Sequence, residues 1–183
     1  MTAATTLITA AELRKMKDIG RCEVLYGELV MTSPAGAEHG VVALRIGRFL
    51  GEFVERNGLG IVLAAATGFL LEQKPDLLVA PDVSFVRRSR IVNGLPKGFF
   101  KGVPDIAVEV VSPGDTQRKV AEEVNVWLAH GTSSVWVADP ATMTIMLHRT
   151  GQPARRFPVG KEFVDEAVLP GFSMSVARVF MMP

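Results

Sequence analysis

The chain has 183 residues, the length of a single domain (residues 1–183) with one well-buried core. Its 48% of hydrophobic and 21% of charged residues exclude an intrinsically disordered protein, and no apolar run approaches the roughly 20 residues that span a bilayer. The net charge of +1 argues against coating of nucleic acid through bulk electrostatics, and the single cysteine, Cys22, excludes an intramolecular disulfide and a cysteine-rich zinc site.

The first third of the chain predicts a short helix, a hairpin and a long helix. Thr9 and Glu12 have the spacing of a capping box, which predicts a helix through Lys17. Two β-prone runs, 22–26 and 28–32, flank Gly27 and predict a hairpin. Apolar residues at helical spacing predict a helix over 38–56, which Asn57-Gly58 ends. The N-terminus lacks the pattern of a secretory signal, so we expect a cytoplasmic protein.

The rest of the chain is rich in predicted strands with one further helix. The helix is expected over 116–130 and ends at Gly131. The predicted strands are 60–66, 69–72, 82–86, 105–111, 134–138 and 144–148, of which the last two form a hairpin, and the tail ends in a short element over 176–180. This order predicts an α/β or α+β fold, with a central mixed β-sheet flanked by helices.

Two acidic residues stand at unusual places in the predicted strands. Glu109 lies inside the apolar strand 105–111, and Asp82 follows Pro81 at the start of another strand. A buried carboxylate is costly unless it is paired or binds a metal, and converging carboxylates suit Mg²⁺ or Mn²⁺. Structural explanations stay open, since Pro-Asp is common in turns and Glu109 is also compatible with a buried salt bridge or a solvent-facing edge.

Six motifs in this order resemble a known family. They are ELVMTSP (28–34), EHG (38–40), APDVSFV (80–86), PDIAVEVVSP (104–113), VWVADP (135–140) and LPGF (169–172). Together they resemble the Uma-type family of restriction endonucleases, in the PD-(D/E)XK nuclease superfamily, over residues 8 to 180. The resemblance implies a restriction-endonuclease-like fold and a metal-dependent nuclease site that hydrolyses DNA with Mg²⁺ or Mn²⁺.

The resemblance also implies site residues. Asp82, Glu109 and Glu38 match the acids of the superfamily and are the expected metal ligands and catalytic residues. The superfamily lysine is absent from its usual position, which is Val111 here, and the position on the following helix where this family often has it is Glu123. Lys119 lies one helical turn before Glu123 and is the expected substitute; the alternative is an ordinary surface lysine paired with Glu122 or Glu123.

Further candidates are expected to contact nucleic acid. Phe99 and Phe100 are interleaved with the basic residues between the two strand acids, a pattern that suits a phosphate backbone and stacked bases. The candidates are Arg87, Arg88, Lys97, Lys101 and, at the start of the second helix, Gln117. The alternative is a surface loop whose Phe99 and Phe100 pack on the core or on a second subunit. The turn 112–115 resembles a phosphate-binding loop, but Asp115 as a helix cap explains it as well.

The first functional hypothesis is therefore a metal-dependent endonuclease that acts on DNA as a homodimer. Strand 144–148, with exposed Phe99 and Phe100, is the expected interface. A second hypothesis is a nuclease fold that has lost its lysine and binds nucleic acid or protein without catalysis. A third is a hydrolase of a small phosphorylated molecule, which a narrow closed pocket would favour.

Overall fold

The computed structural model describes residues 7–182. Four α-helices are present there, besides a 3-10 turn at Arg88–Arg90: α1 (Ala10–Leu13), α2 (Ala37–Arg56), α3 (Gln117–Ala129) and α4 (Val176–Phe180). The strands are β1 (Cys22–Leu25), β2 (Glu28–Met31), β3 (Gly60–Ala64), β4 (Phe69–Glu72), β5 (Leu77–Val79), β6 (Val83–Arg87), β7 (Phe100–Lys101), β8 (Ile106–Val110), β9 (Ser134–Asp139), β10 (Thr144–His148), β11 (Arg155–Pro158), β12 (Glu162–Val164) and β13 (Ser173–Ser175). None of the helices in this part of the chain is long and apolar enough to cross a membrane.

The central sheet has six strands in the order β11-β10-β9-β8-β6-β3. The pair β8–β9 is parallel and α3 makes the crossover between its strands, whereas the other pairs are antiparallel. A second sheet has the order β2-β1-β5-β4-β7, and β12 and β13 form a hairpin. The mixed sheet with flanking helices confirms the predicted fold class.

The two faces of the central sheet carry different layers. One face packs against α2 and α4 through fully buried residues such as Val42, Ile46 and Val179. The other face packs against α3 and the second sheet, where Trp127 makes an edge contact with Phe69. Because strand side chains alternate between faces, Val108 belongs to the first layer, and its neighbours along β8 point to the second.

Most predicted elements are present with edges shifted by a few residues. The capping box at Thr9 is confirmed, but α1 ends at Leu13, well before Lys17. The hairpin β1–β2, helices α2 and α3, and the hairpin β9–β10 are confirmed. The predictions missed the short strands β5, β7, β11, β12 and β13, which have two to four residues each and too little sequence for a periodic signal.

The predicted dimer interface is wrong. Strand β10 lies between β9 and β11 and therefore has no free edge. Phe100 is only 8% exposed and packs against Phe69 at 5.4 Å between ring centroids. Phe99 is partly buried against Leu70 and Leu78. The aromatic pair thus belongs to the core of this chain, as the alternative interpretation proposed.

Candidate active site at the ends of two strands

Asp82 and Glu109 face each other at one end of the central sheet. The antiparallel register pairs Val83 with Val108, so the next positions outward are Asp82 and Glu109. The backbone N–H of Asp82 donates to the carbonyl of Val108 at 3.0 Å, and Asp82 Oδ2 accepts the N–H of Val110 at 2.9 Å. The negative charge of Asp82 raises the pKa of Glu109 beyond the effect of burial, as expected for neighbouring carboxyl groups. The sheet itself therefore brings the two predicted acids together.

The carboxyl group of Glu109 lies in an environment that opposes its charge. Its Oε1 accepts a hydrogen bond from the indole Nε1–H of Trp127 at 2.7 Å. Burial raises the pKa of Glu109 well above its usual value, and the negative charges of Asp82 and Glu123 raise it further. No ion pair within residues 7–182 involves Glu109. The predicted buried salt bridge is therefore absent there.

His39, and not Glu38, contacts the strand acids. Both residues lie in the first turn of α2, but Glu38 is exposed, while His39 Nε2 is 3.0 Å from Asp82 Oδ2. The hydrogen bond to Asp82 raises the pKa of His39, although burial acts in the opposite direction. The sequence expectation gave Glu38 the place that His39 occupies, because a helix turns by about 100° per residue and one position decides which side chain faces inward.

Glu23 of β1 is a site residue that the sequence analysis missed. Its Oε1 accepts the backbone N–H of Ala80 at 2.8 Å, which ties β1 to the segment that carries Asp82. Burial raises the pKa of Glu23, and the charge of Asp82 adds to the rise, while Lys119 and Arg21 lower it. Nothing in a short β-prone run such as 22–26 distinguishes this acid from a surface residue, since its partner is 57 positions away.

Lys119 of α3 lies beside two other acidic residues, Asp115 and Glu123. Its Nζ is 2.6 Å from Asp115 Oδ1 and 3.7 Å from Glu123 Oε1, and the side chain is 57% exposed. The hydrogen bond to Asp115 raises the pKa of Lys119, so the amine is charged at neutral pH. Glu122 instead pairs with Arg118. Lys119 is thus an exposed helix residue paired with Asp115 and Glu123, as the alternative interpretation proposed for Glu123, and its catalytic role stays a prediction.

The start of α3 differs in one detail from the expectation. Thr116 is the cap, and its Oγ1 accepts the N–H of Lys119 at 3.2 Å. Asp115 does not cap the helix, because its Oδ2 closes the preceding turn by accepting the N–H of Ser112. Gln117 is exposed in the first turn, at the end of the sheet that carries the acids. It remains a candidate for contact with a phosphate or a base.

The predicted basic residues do not lie beside the acids. Arg87 ends β6, five residues after Asp82, which is roughly 17 Å along a strand. Its Nε donates to Asp105 Oδ1 and its Nη2 to the carbonyl of Val168, so the guanidinium is used within the fold. Arg88, Lys97 and Lys101 follow at the same far end. Arg87 lies away from the acids because the residues that follow Asp82 run along β6 toward its other end. Contact of these basic residues with nucleic acid stays a prediction.

The carboxyl groups of the candidate site are suitable ligands for a hard divalent cation. In residues 7–182 no three His, Cys, Asp or Glu side chains already form a metal-ligand group, and Asp82 and Glu109 are each held by protein donors. Yet Glu23, Glu109 and Glu123 all have raised pKa values, mainly because burial opposes their charge, and a neighbouring carboxylate adds to each rise. Neighbouring carboxylate oxygens fit Mg²⁺ or Mn²⁺. Two surface cavities of about 410 and 290 Å³ include neither Asp82 nor Glu109, so neither is the closed substrate pocket of the third hypothesis.

Residues 10–177 match the family described as "Uma2: Putative restriction endonuclease". The chain belongs to the Uma2 family. A crystal structure of "a putative nuclease belonging to DUF820" from Anabaena variabilis ATCC 29413 is similar to the fold, with a TM-score of 0.81 and 22% sequence identity over 94% of this chain and 97% of that one. The chain has no significant match among curated proteins. The fold of this chain is thus the restriction-endonuclease-like fold that the sequence motifs imply, and the family match supports a nuclease function.

Proposed function

We propose that this Uma2 protein is a divalent-metal-dependent endonuclease that hydrolyses phosphodiester bonds of DNA. The observation that carries the proposal is the opposition of Asp82 and Glu109 at the ends of two paired strands, without a cation beside Glu109 among the described residues. Glu109, a buried carboxyl group on a rigid strand with no cation beside it among residues 7–182, is an unfavourable arrangement for stability alone. A bound cation would relieve it.

The acids and the lysine have separate roles in this proposal. Asp82 and Glu109 would hold Mg²⁺ or Mn²⁺, and Glu23 stands where a third carboxylate is useful. Glu38, which is exposed, would act only through a water molecule. When bound, the cation stabilises negative charge on the phosphate and lowers the pKa of a water molecule.

Lys119 would act on the phosphate. Its amine is more than half exposed and is held by Asp115, so it can turn to a phosphate oxygen once substrate approaches. A charged amine beside the reacting phosphate stabilises the transition state. Gln117 and the turn 112–115 border the same end of the sheet and would orient the backbone of the DNA through polar contacts.

Calorimetric titration with Mn²⁺ and Mg²⁺ tests the site directly. We expect the wild type to bind the ion, and Asp82→Ala and Glu109→Ala to lose the binding. Glu122→Ala is the matched control, because Glu122 is an exposed acid on α3 that pairs with Arg118. Equal binding by all four proteins, with and without a short DNA duplex, would refute the metal site.

A second candidate function is binding of nucleic acid without catalysis. The observation in its favour is that the ammonium group of Lys119 is already neutralised by Asp115 and Glu123, and that Glu123 occupies the place where the resemblance implies a lysine. Glu123→Lys separates the two functions. If the site is catalytic, the variant should cut DNA with Mn²⁺ faster than the wild type, whereas a binding protein would show tighter DNA binding and no cleavage.

We also propose a cellular location and an oligomeric state for the enzyme. We place it in the cytoplasm, where DNA is available to a protein without a spanning helix in its described part. A homodimer would carry two sites and thus cut both strands of a duplex. Analytical ultracentrifugation with and without DNA tests this assembly, and a monomer under both conditions would refute it.

A further inference from the structure

A basic hollow lies at the opposite end of the central sheet from the acids. It has a volume of about 290 Å³ and is lined by Arg90, Gly94, Pro96, Phe99, Phe100 and Lys101. The surrounding segment 83–104 contains five basic residues and no acidic one. Asp105, which follows it, is the acid that pairs with Arg87 and Arg90. One carboxylate against this number of cations leaves the region positive.

Arg90 is held in place before any ligand arrives. Its Nη1 donates to Asp105 Oδ2 at 3.1 Å, and its guanidinium lies 5.6 Å from the centroid of the Phe100 ring. The side chain remains 32% exposed, so it is accessible at the hollow. A guanidinium fixed by one carboxylate still has several N–H donors for an anion.

Two lysines add free positive charge to the hollow. Lys101 lines it and Lys97 lies in the loop beside it, and both are exposed. Within residues 7–182 neither takes part in an ion pair. Arg14 of the N-terminal segment reaches the same loop, where its guanidinium lies against Gly98. These groups are hydrogen-bond donors, which suits an anion with several oxygens.

We propose that the basic hollow binds a phosphate group of the DNA backbone, away from the point of cleavage. Asp105 precedes β8 and lies four residues before Glu109, roughly 13 Å along the strand. This corresponds to about four nucleotides at a rise of about 3.4 Å per nucleotide. The choice of DNA as the ligand rests on the proposed function, whereas the phosphate chemistry rests on the hollow itself.

The test is the salt dependence of DNA binding, measured by fluorescence anisotropy with a short duplex in EDTA, so that no cutting occurs. The double variant Lys97→Gln, Lys101→Gln should lower the slope of log K against log salt by about 0.9, because the loss of one phosphate contact removes about 0.9. The control is Arg156→Gln, Lys161→Gln, which removes two exposed charges on β11 and the following turn. The control should keep the slope of the wild type.

The outcomes separate the hollow from the active site. A reduced slope in the lysine variant supports the hollow even if the wild type never cuts DNA with Mn²⁺, in which case the proposed function fails alone. A slope equal to that of the wild type overturns the proposal. Titration with inorganic phosphate, followed by amide shifts of Gly94, Lys101 and Gly102, distinguishes the source of the ligand. Shifts with phosphate but an unchanged DNA slope would assign the hollow to a free phosphate and overturn the DNA contact.

Discussion

Strands β6 and β8 have acidic residues at both of their ends. Asp82 and Glu109 of the candidate site lie at one end, and Asp105, which forms ion pairs with two arginines, lies at the other. At the far end, Asp105 accepts the backbone N–H of Arg87 at 2.9 Å and pairs with the guanidinium groups of Arg87 and Arg90. At the near end, Glu109 accepts one indole N–H and has negative neighbours. Two arginines thus compensate the charge of Asp105, whereas no cation within residues 7–182 pairs with Glu109.

The difference teaches how to separate a structural acid from a candidate catalytic one. A buried carboxylate that the fold uses for stability brings its own counter-charges, because an unpaired charge costs several kcal/mol. A carboxylate that lacks them needs either a proton or a cation from solution. Asp105 belongs to the first type and Glu109 to the second, and their responses to isosteric neutralisation should be opposite.

The largest expected effect is on cleavage. Glu109→Gln keeps the acceptor for Trp127 but removes the charge, so we expect DNA cleavage with Mn²⁺ to fall by at least about 100-fold. Cleavage of a supercoiled plasmid measures it. Glu122→Gln, at an exposed position on the same side of the fold as Trp127, should cut at the rate of the wild type. An active Glu109→Gln enzyme would remove Glu109 from the site.

The next effect is the loss of stability in Asp105→Asn. This change leaves Arg87 and Arg90 without their counter-charge, and we expect the free energy of unfolding to fall by about 2 to 3 kcal/mol. The pairs are partly exposed, which keeps the loss below that of a fully buried pair. Urea denaturation measures the change. A variant as stable as the wild type would show that the far end is not held by these pairs.

A smaller effect, opposite in sign, is expected for Glu109→Gln without metal. The folded state holds a proton on Glu109 more tightly than the unfolded chain does, since the pKa is raised above its usual 4.5. Stability of the wild type therefore falls as pH rises from about 4.5 through the raised pKa, and the variant should lack this loss. Urea denaturation between pH 4 and 8 should find Glu109→Gln the more stable protein at neutral pH.

Saturating Mn²⁺ should reverse that order, because a ligand that binds only the folded wild type stabilises it. If Mn²⁺ stabilised Glu109→Gln and the wild type equally, the cation would bind elsewhere. The two measurements together compare the proton and the metal as alternative partners of the same carboxyl group.

The smallest expected effect concerns His39. The hydrogen bond to Asp82 is the main cause of its raised pKa, so Asp82→Asn should return the pKa of His39 toward 6.5. This raised pKa adds stability that is complete below pH 6.5 and is lost as pH rises through the pKa of the folded protein. NMR titration of the imidazole measures it. Glu38→Gln, one residue away and exposed, should leave the His39 titration unchanged.

Much of the fold, and two acids of the candidate site, could be predicted from the sequence. Regular elements with a clear period, such as α2 and β8, were predictable because each records its burial in its own residues. Asp82 and Glu109 stood out because an acid in an apolar strand is costly wherever it lies. The role of each acid in catalysis stays a prediction.

What the sequence did not reveal depends on tertiary contacts. Glu23 joins the cluster through Ala80, and the inward turn of His39 depends on how α2 meets the sheet. The far position of Arg87 follows from the direction of β6, which places one end of a five-residue strand away from the other. In each case the orientation of a helix or strand decides where the side chain lies, and this orientation cannot be derived from residue type and spacing alone.

The hydrogen bond between Trp127 and Glu109 makes the candidate site optically observable. The chain has two tryptophans, and the other, Trp136, is buried beside Asp165, with which its indole Nε1–H is bonded at 2.8 Å. Only Trp127 therefore touches an acid of the candidate site. Its emission should respond when Glu109 gains or loses a proton or meets a cation, so the intrinsic fluorescence of a Trp136→Phe protein would report occupancy without any added label.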